Sequence, residues 1–197
     1  MPVLRPSLIA ALALAFAPFA SAHAQGSASA GPAAPAAASG LAADLLTDVS
    51  QLETKMMALA RAIPADRYDW RPAAGVRSVS EVVRHVAADN YLLPAMLGHA
   101  AEPSTGIRGD DFKTAQAFEQ RTMSRDDAIA QMERSFAHLK RALGGTTAER
   151  MSEKVTLFGH PSTVQSTWIL TATHLHEHLG QLIAYARSNG VVPPWSR

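Results

Sequence analysis

Apolar residues recur at three- and four-residue steps in four long segments of the chain, and this spacing is typical of helices that bury one face. The segments are residues 41–63, residues 79–97, the stretch from Ser124 to Gly144, and residues 162–189. No convincing strand pattern accompanies them, so each apolar stripe can be buried only against the other stripes. The sequence therefore predicts an all-α fold, a four-helix bundle.

The connections between these helices differ in length. Residues 100–123 are polar, contain Pro103 and two glycines, and show no sustained period, so they are predicted to form a long irregular connection. A connection of this length allows the second and third helices to run parallel, while shorter joins keep the other neighbours antiparallel. Residues 146–161 are predicted to be a second irregular stretch, with residues 154–158 briefly extended.

The N-terminus has the pattern of a secretory signal peptide over residues 1–24. A basic start is followed by an apolar stretch over residues 8–19 and by the small-residue cleavage signal Ala22-His23-Ala24. The apolar stretch is too short, and too interrupted by Pro18, to cross a bilayer about 30 Å thick, so no stable membrane anchor is expected. A retained anchor and a cut after Ala22 are the alternatives. We therefore expect an exported protein, either periplasmic or secreted.

Residues 25–40 contain only Ala, Gly, Ser, Pro and one Gln, which bury too little apolar surface to fold. They are predicted to be a flexible linker. The folded domain is predicted to cover residues 41–197.

Composition excludes several classes of function. The chain holds 18 Lys and Arg against 17 Asp and Glu, a formal charge of +1, and no cysteine. Such a balanced charge gives no basis for a broad phosphate-binding surface, so nucleic acid is not expected as a partner. Without cysteine the chain cannot form disulfides, thiolate nucleophiles or thiolate metal sites, so any metal must be held by His, Asp or Glu.

The segment His174-Leu175-His176-Glu177-His178 is the strongest candidate for chemistry. At about 100° per residue, His174 and His178 fall within about 40° of each other on the fourth helix, and His176 points elsewhere. Their Cβ atoms are expected about 5 to 6 Å apart, which lets both imidazoles reach one divalent metal. A chance pair of surface histidines is the alternative, but both residues flank the apolar stripe, where bundle metal sites are built.

A third metal ligand must come from another helix, and His85 on the flank of the second helix is the best candidate. A core histidine bonded to a backbone acceptor is the alternative for this residue. Asp89, one turn beyond His85, is a candidate to orient a ligand or to bind the metal, with a structural polar contact equally open. Gln181 and Tyr185 follow His178 on the same flank, where a pocket role or hydrogen-bonded packing is expected.

Other residues that could do chemistry are given no site role. His99, His138 and His160 lack comparable spacing, and His138 is expected on the charged surface of the third helix. Trp70 and Arg71 are expected to fix the turn between the first two helices.

Two stretches of the sequence resemble the DinB-like (YfiT-like) superfamily. They are residues 63–86, which contain His85, and residues 174–195, which carry an H-x-x-x-H-x-G-Q pattern as His174, His178, Gly180 and Gln181. The resemblance extends over about residues 41–195. It implies a bundle of up-down-down-up order that binds a divalent metal, commonly nickel or zinc, through His85, His174 and His178.

The resemblance also implies a range of reactions. Related members include thiol-dependent S-transferases and isomerases, and a fold analogy alone does not choose among them. The sequence-based hypothesis is that the metal activates a water or thiol nucleophile for attack on a small electrophilic molecule. Export makes the abundant cytosolic thiols less available, so hydrolysis is favoured relative to thiol transfer. No catalytic residue is assigned.

Two alternatives to an enzyme stay open at this point. The first is a non-catalytic exported module that binds metal or a small ligand, because the sequence shows no clear general base near the metal. The second is an interaction domain that forms a homodimer through a helix face.

Overall fold

The computed structural model describes residues 40–196 of the chain, which are mainly helical. The helices are α1 (Gly40–Ala62), α2 (Val79–Met96), α3 (Lys113–Glu119), α4 (Arg125–Gly144), α5 (Ala148–Met151) and α6 (Val164–Ser188). Two short strands, β1 (Lys154–Leu157) and β2 (His160–Thr163), pair between α5 and α6. The predicted signal peptide and linker lie outside the described residues, except that Gly40 is the first residue of α1 and not part of a linker.

Contacts along the long helices give their directions. The Arg125 guanidinium, at the start of α4, donates to the carbonyl of Arg61, at the end of α1, at 2.7 Å. Further along α4, Lys140 pairs with Glu53. Helices α1 and α4 are therefore antiparallel.

Helices α2 and α4 instead run in the same direction. The side chain of Asn90 donates to Ser135 Oγ at 3.2 Å, and His99, just beyond α2, shares a pocket with Ala142 near the end of α4. Helix α6 is antiparallel to α2, because His174 lies opposite His85 and Tyr185 lies opposite the residue before the α2 cap. The order is up-down-down-up, and the predicted four-helix bundle is confirmed.

The core lies where the four apolar stripes face one another. Its largest fully buried side chains come from all four long helices and from α3. Each such side chain contributes about 1.5 to 3 kcal/mol when it leaves water. Helix α2 begins at the expected capping box, in which Ser78 Oγ accepts from Glu81 N–H and Glu81 Oε2 accepts from Ser78 N–H at 2.7 Å.

The connection between α2 and α4 is more ordered than its sequence suggested. The prediction of an irregular stretch is wrong for residues 113–119, which form α3. Ala115 and Phe118 lie one turn apart and are fully buried, and α3 packs on α2. The seven residues of α3 contain only this one buried apolar pair, and a single pair is too short a pattern to show a helical period in the sequence.

Gly109 brings this connection against the end of α2. A Cβ atom at this position would overlap the carbonyl of Ala95 and lie 2.6 Å from Met96 N. The backbone at Gly109 therefore approaches α2 so closely that no residue with a Cβ atom fits at this position.

The second connection contains a β-hairpin. Lys154 pairs with Thr163 and Leu157 with His160, so the extended stretch has a strand partner that the sequence analysis did not predict. Phe158 and Gly159 form the turn with φ of 49° and 82°, as tight hairpins require. Helix α6 begins at Val164 and not at Ser162, because Thr163 accepts from Ser166 N–H at 3.1 Å as its cap.

His138 is buried, with 7% of its surface exposed, so the expectation of a surface position on α4 is wrong. Its ring packs 5.5 Å from the ring of Tyr91 on α2, and its Nε2 has no hydrogen-bond partner within residues 40–196. Burial, and next the charge of Arg141, lower the pKa of His138. The charged neighbours of His138 on α4 concealed that its own position faces α2.

In the part of the chain that the structure describes, every helix falls short of the length and apolarity that a membrane crossing requires.

Substitution of Gly109 by alanine is expected to lower the free energy of unfolding by about 1 to 3 kcal/mol, because the backbone must move to relieve the overlap. Gly180→Ala is the matched control. Gly180 lies exposed within α6 with nothing within 4 Å of a Cβ, so this variant should gain up to about 1 kcal/mol from helix propensity. Urea denaturation of both variants measures the difference, and equal stabilities would contradict the close approach.

The buried His138 is expected to make stability depend on pH. A histidine whose folded pKa lies below its unfolded value of about 6.5 stabilises the fold above that pH, and this contribution is lost as the pH falls. Urea denaturation between about pH 7.5 and about pH 5 should show a shallower loss of stability in His138→Gln than in the unsubstituted chain. Parallel pH profiles would show that His138 protonates as easily folded as unfolded.

Candidate metal centre

Three histidine side chains from two helices converge at one place in the bundle. Helix α2 carries His85, and the antiparallel α6 carries His174 and His178 one turn apart. His174 Nε2 lies 3.1 Å from His85 Nε2 and 3.0 Å from His178 Nε2. The structure therefore brings together the three residues that the sequence pattern selected as metal ligands.

A hydrogen-bond chain fixes the proton position on His178. Tyr185 OH donates to the backbone carbonyl of Arg77 at 3.0 Å, since a carbonyl can only accept. The Tyr185 oxygen accepts from Gln181 Nε2 at 2.9 Å, which places Gln181 Oε1 towards His178 Nδ1 at 2.8 Å. His178 must then carry its proton on Nδ1, and its Nε2 presents a lone pair. Gln181 and Tyr185 thus contact the site by hydrogen bonds.

A carboxylate fixes the proton on His85 in the same way. Glu119 Oε1 accepts from His85 Nδ1 at 2.9 Å, and Glu119 Oε2 pairs with Arg77 at 3.3 Å. In the neutral form of His85 the lone pair then lies on Nε2, which faces His174. Burial raises the pKa of Glu119, but the hydrogen bond and charge of His85 and the charge of Arg77 outweigh it and leave the pKa lowered.

Sequence reasoning missed Glu119 because it ends α3, which lies inside the connection expected to be irregular. In the sequence, Ala115 and Phe118 have the three-residue spacing of a helical face, but a single such pair does not predict a helix. A further signal was chemical: a histidine that binds a metal requires an acceptor on its other ring nitrogen.

The geometry of the three Nε2 atoms fits a metal ion. Around a tetrahedral ion with bonds of about 2.0 to 2.1 Å, ligand nitrogens lie about 3.3 Å apart, close to the observed separations. His174 Nε2 faces both other Nε2 atoms, yet it can donate one hydrogen at most. A single cation satisfies all three nitrogens, whereas hydrogen bonds among them cannot.

Burial favours the neutral forms of His174 and His178. Burial, and next the nearness of His178 and His85, lower the pKa of His174 to about 3. Burial also lowers the pKa of His178, although its hydrogen bond to Gln181 opposes this shift. Neutral imidazoles are the form that binds metals, so at neutral pH His174 and His178 are in the form that can bind one.

Asp89 lies beside the same nitrogens. Its Oδ2 is 3.2 Å from His174 Nε2 and 3.6 Å from His85 Nε2. Burial raises the pKa of Asp89 to about 6, while the charge of His85 opposes the shift. With His85 and Glu119 it forms a second group of donors that could hold an ion, which overlaps the three-histidine group.

The other histidines within residues 40–196 lie apart from this site. His176 points away, as expected, and its Nε2 lies 2.9 Å from Asp48 on α1. His99 and His138 line a different pocket, and His160 is exposed on β2.

The turn before α2 supports the site from outside. Trp70 packs edge-on against Tyr185 at 5.3 Å, and Arg71 pairs with Glu81 at 3.2 Å. Trp70 thus touches a residue that orients His178.

Several solved structures share this fold at low sequence identity. A DinB-like protein from Bacillus cereus ATCC 10987 has a TM-score of 0.62 at 15% identity, covering 76% of this chain and 93% of that chain. YfiT from Bacillus subtilis, described as a probable metal-dependent hydrolase with an unusual four-helix bundle topology, has a TM-score of 0.61 at 15% identity, covering 77% and 89%. A mutant of the mycothiol-dependent maleylpyruvate isomerase has a TM-score of 0.60 at 15% identity, covering 72% and 60%.

Sequence comparison gives the family itself. No curated protein matches the chain significantly. The family model of the DinB superfamily matches residues 49–182, which is more than half of the chain and includes all three converging histidines. The resemblance seen in the sequence is confirmed, and the chain belongs to the DinB superfamily.

Proposed function

We propose that the chain is a metal-dependent enzyme that holds one divalent cation between His85, His174 and His178 and acts on a small electrophilic molecule. One observation carries the proposal. The hydrogen bonds to Glu119 and Gln181 leave the Nε2 lone pairs of two histidines facing a third Nε2 about 3 Å away. A hydrogen on His174 Nε2 can point at only one of these two lone pairs, whereas a cation between the rings can accept from all three nitrogens.

Nickel or zinc is the proposed ion, since neutral imidazole ligands suit both. Three protein ligands leave at least one position open, as in catalytic and not structural sites. A bound ion would supply Lewis acidity, which lowers the pKa of a water or thiol beside it.

The residues around the histidines have separate tasks in this proposal. Glu119 holds the His85 ring, and the Gln181 and Tyr185 pair holds the His178 ring. Asp89 Oδ2 lies where it can accept a hydrogen bond from the attacking nucleophile and so orient it. A carboxylate at this position supports a reaction more than simple metal storage.

We propose hydrolysis or thiol S-transfer as the reaction class. The description of YfiT as a probable metal-dependent hydrolase, and the presence of a mycothiol-dependent isomerase among the similar folds, support these two chemistries. Export through the predicted signal peptide in residues 1–24, also a proposal, favours hydrolysis because water is available in every compartment.

Elemental mass spectrometry of protein purified without a metal-affinity column should find about one equivalent of nickel or zinc per chain. A variant with His85, His174 and His178 all replaced by alanine should lose it. His176→Ala is the matched control, because His176 lies on α6 between two proposed ligands but pairs with Asp48, and it should keep the metal.

Turnover should follow the metal in screens of hydrolase and thiol-transfer substrates. Metal retained by the triple variant, or no metal in the unsubstituted chain even after reconstitution, would contradict the site. One equivalent of metal without turnover on any substrate class would contradict the enzyme and leave a metal-binding module.

Glu119→Gln is expected to weaken zinc binding about 10- to 100-fold, the usual effect of losing a partner that orients a ligand. The amide keeps the size of the side chain but removes the charge that favours a proton on His85 Nδ1. Competition with a chromophoric chelator measures the affinity. Glu133→Gln, at an exposed ion pair on α4, provides the control, and equal affinities of the two variants would remove Glu119 from the site.

A further inference from the structure

A pocket of about 470 Å³ is lined in part by Glu119, the carboxylate that accepts from His85 Nδ1. Its lining includes Arg71, Arg77 and Arg84 together with the carboxylates of Glu81 and Glu119. The volume falls within the range of small-molecule sites. The pocket shares Glu119 with the histidine site, so the two adjoin.

The two carboxylates of the pocket are already engaged. Glu81 caps α2 and pairs with Arg71, while Glu119 bonds His85 and pairs with Arg77. Three guanidinium groups against two carboxylates leave the lining with one positive charge in excess. An anionic group is therefore the ligand that this lining favours.

Arg77 has the most donor capacity left for such a ligand. Its side chain is about half exposed at 45%, and within residues 40–196 its guanidinium forms an ion pair with Glu119 alone. A guanidinium offers five N–H donors in a planar fork that matches a carboxylate or a phosphate. Arg84, by contrast, is bound to the carbonyl of Glu119 and to Ser80.

Arg77 is also the point where two hydrogen-bond chains meet. Its side chain reaches His85 Nδ1 through Glu119, and its backbone carbonyl reaches His178 Nδ1 through Tyr185 and Gln181. A group that binds the Arg77 guanidinium therefore contacts a side chain that is linked through Glu119 to His85.

We propose that this pocket binds the anionic group, a carboxylate or a phosphate, of the small molecule whose reactive atom is held at the three histidines. The second half of this statement rests on the proposed function, whereas anion binding by the pocket does not. The substrate class is then a small electrophile that carries one negatively charged end. Arg77 positions that end, and its ion pair with Glu119 transmits binding to His85.

Isothermal titration of the full chain, freed of metal by chelation, isolates the pocket from direct binding of anions to a metal. Acetate tests the carboxylate class, inorganic phosphate tests the phosphate class, and neutral acetamide is the blank. Whichever anion binds, Arg77→Gln should lower its affinity by about 10-fold or more, as expected for the loss of a charged hydrogen-bond donor. Arg77→Lys keeps the charge but not the planar fork of donors, so its affinity should lie between those of the unsubstituted chain and Arg77→Gln.

Arg108→Gln is the matched control, because it removes the same charge from an exposed arginine that pairs with Asp110 and Asp111 outside the pocket. It should bind as tightly as the unsubstituted chain. Equal affinity in Arg77→Gln, an equal loss in Arg108→Gln, or no binding of either anion would overturn the proposal. Melting temperatures of all variants confirm that each is folded.

The coupling has its own readout in the cobalt-loaded chain. The anion that binds should change the visible absorption of the bound cobalt in the unsubstituted chain, and Arg77→Gln should abolish this change at the same anion concentration. If the chain binds the anion but no metal, the pocket is supported as an anion site and the proposed metal-dependent function is contradicted. A spectral change that persists in Arg77→Gln would show that the anion binds the metal directly and would overturn the role of Arg77.

Discussion

A backbone carbonyl can only accept hydrogen bonds. The carbonyl of Arg77 therefore fixes which group donates in each hydrogen bond of the series that runs through Tyr185 and Gln181 to His178. Tyr185 must donate to it, Gln181 must donate to Tyr185, and the ring of His178 must give its Nδ1 proton to Gln181. The negative charge of Glu119 does the same for His85. The protonation of the site is thus a consequence of the backbone and of one carboxylate, and the burial of His174 keeps the third ring neutral.

The topology and the chemistry of this chain depend on each other. Parallel α2 and α4 require a long connection between them, and that connection crosses the bundle close enough to α2 to bury Ala115 and Phe118 against the core. The same segment ends in Glu119, which lies 34 residues beyond its partner His85. A bundle with alternating helix directions needs only a short loop here, which leaves no segment to bring an acid to this face of α2.

Features that depend on local spacing could be predicted from the sequence. The four helices follow from apolar residues at three- and four-residue steps, and His174 and His178 share a face because they lie one turn apart. Glu119 could not be found in this way, because its role depends on packing between α3 and α2. The burial of His138 could not be predicted for a similar reason, since the residues beside it on α4 are charged and only packing against α2 buries it. The pairing of β1 with β2 depends on the turn at Phe158 and Gly159.

The three histidines come from two segments that are far apart along the chain, since His174 lies 89 positions after His85. A cation shared by these two rings, as proposed above, is a cross-link that closes a long loop. Treated as a loss of loop-closure entropy, such a link destabilises the unfolded chain by about 4.7 kcal/mol for a loop of about 100 residues. A protein without cysteine has no disulfide to do this. The same ion that serves chemistry would then fasten the last helix of the bundle to the second.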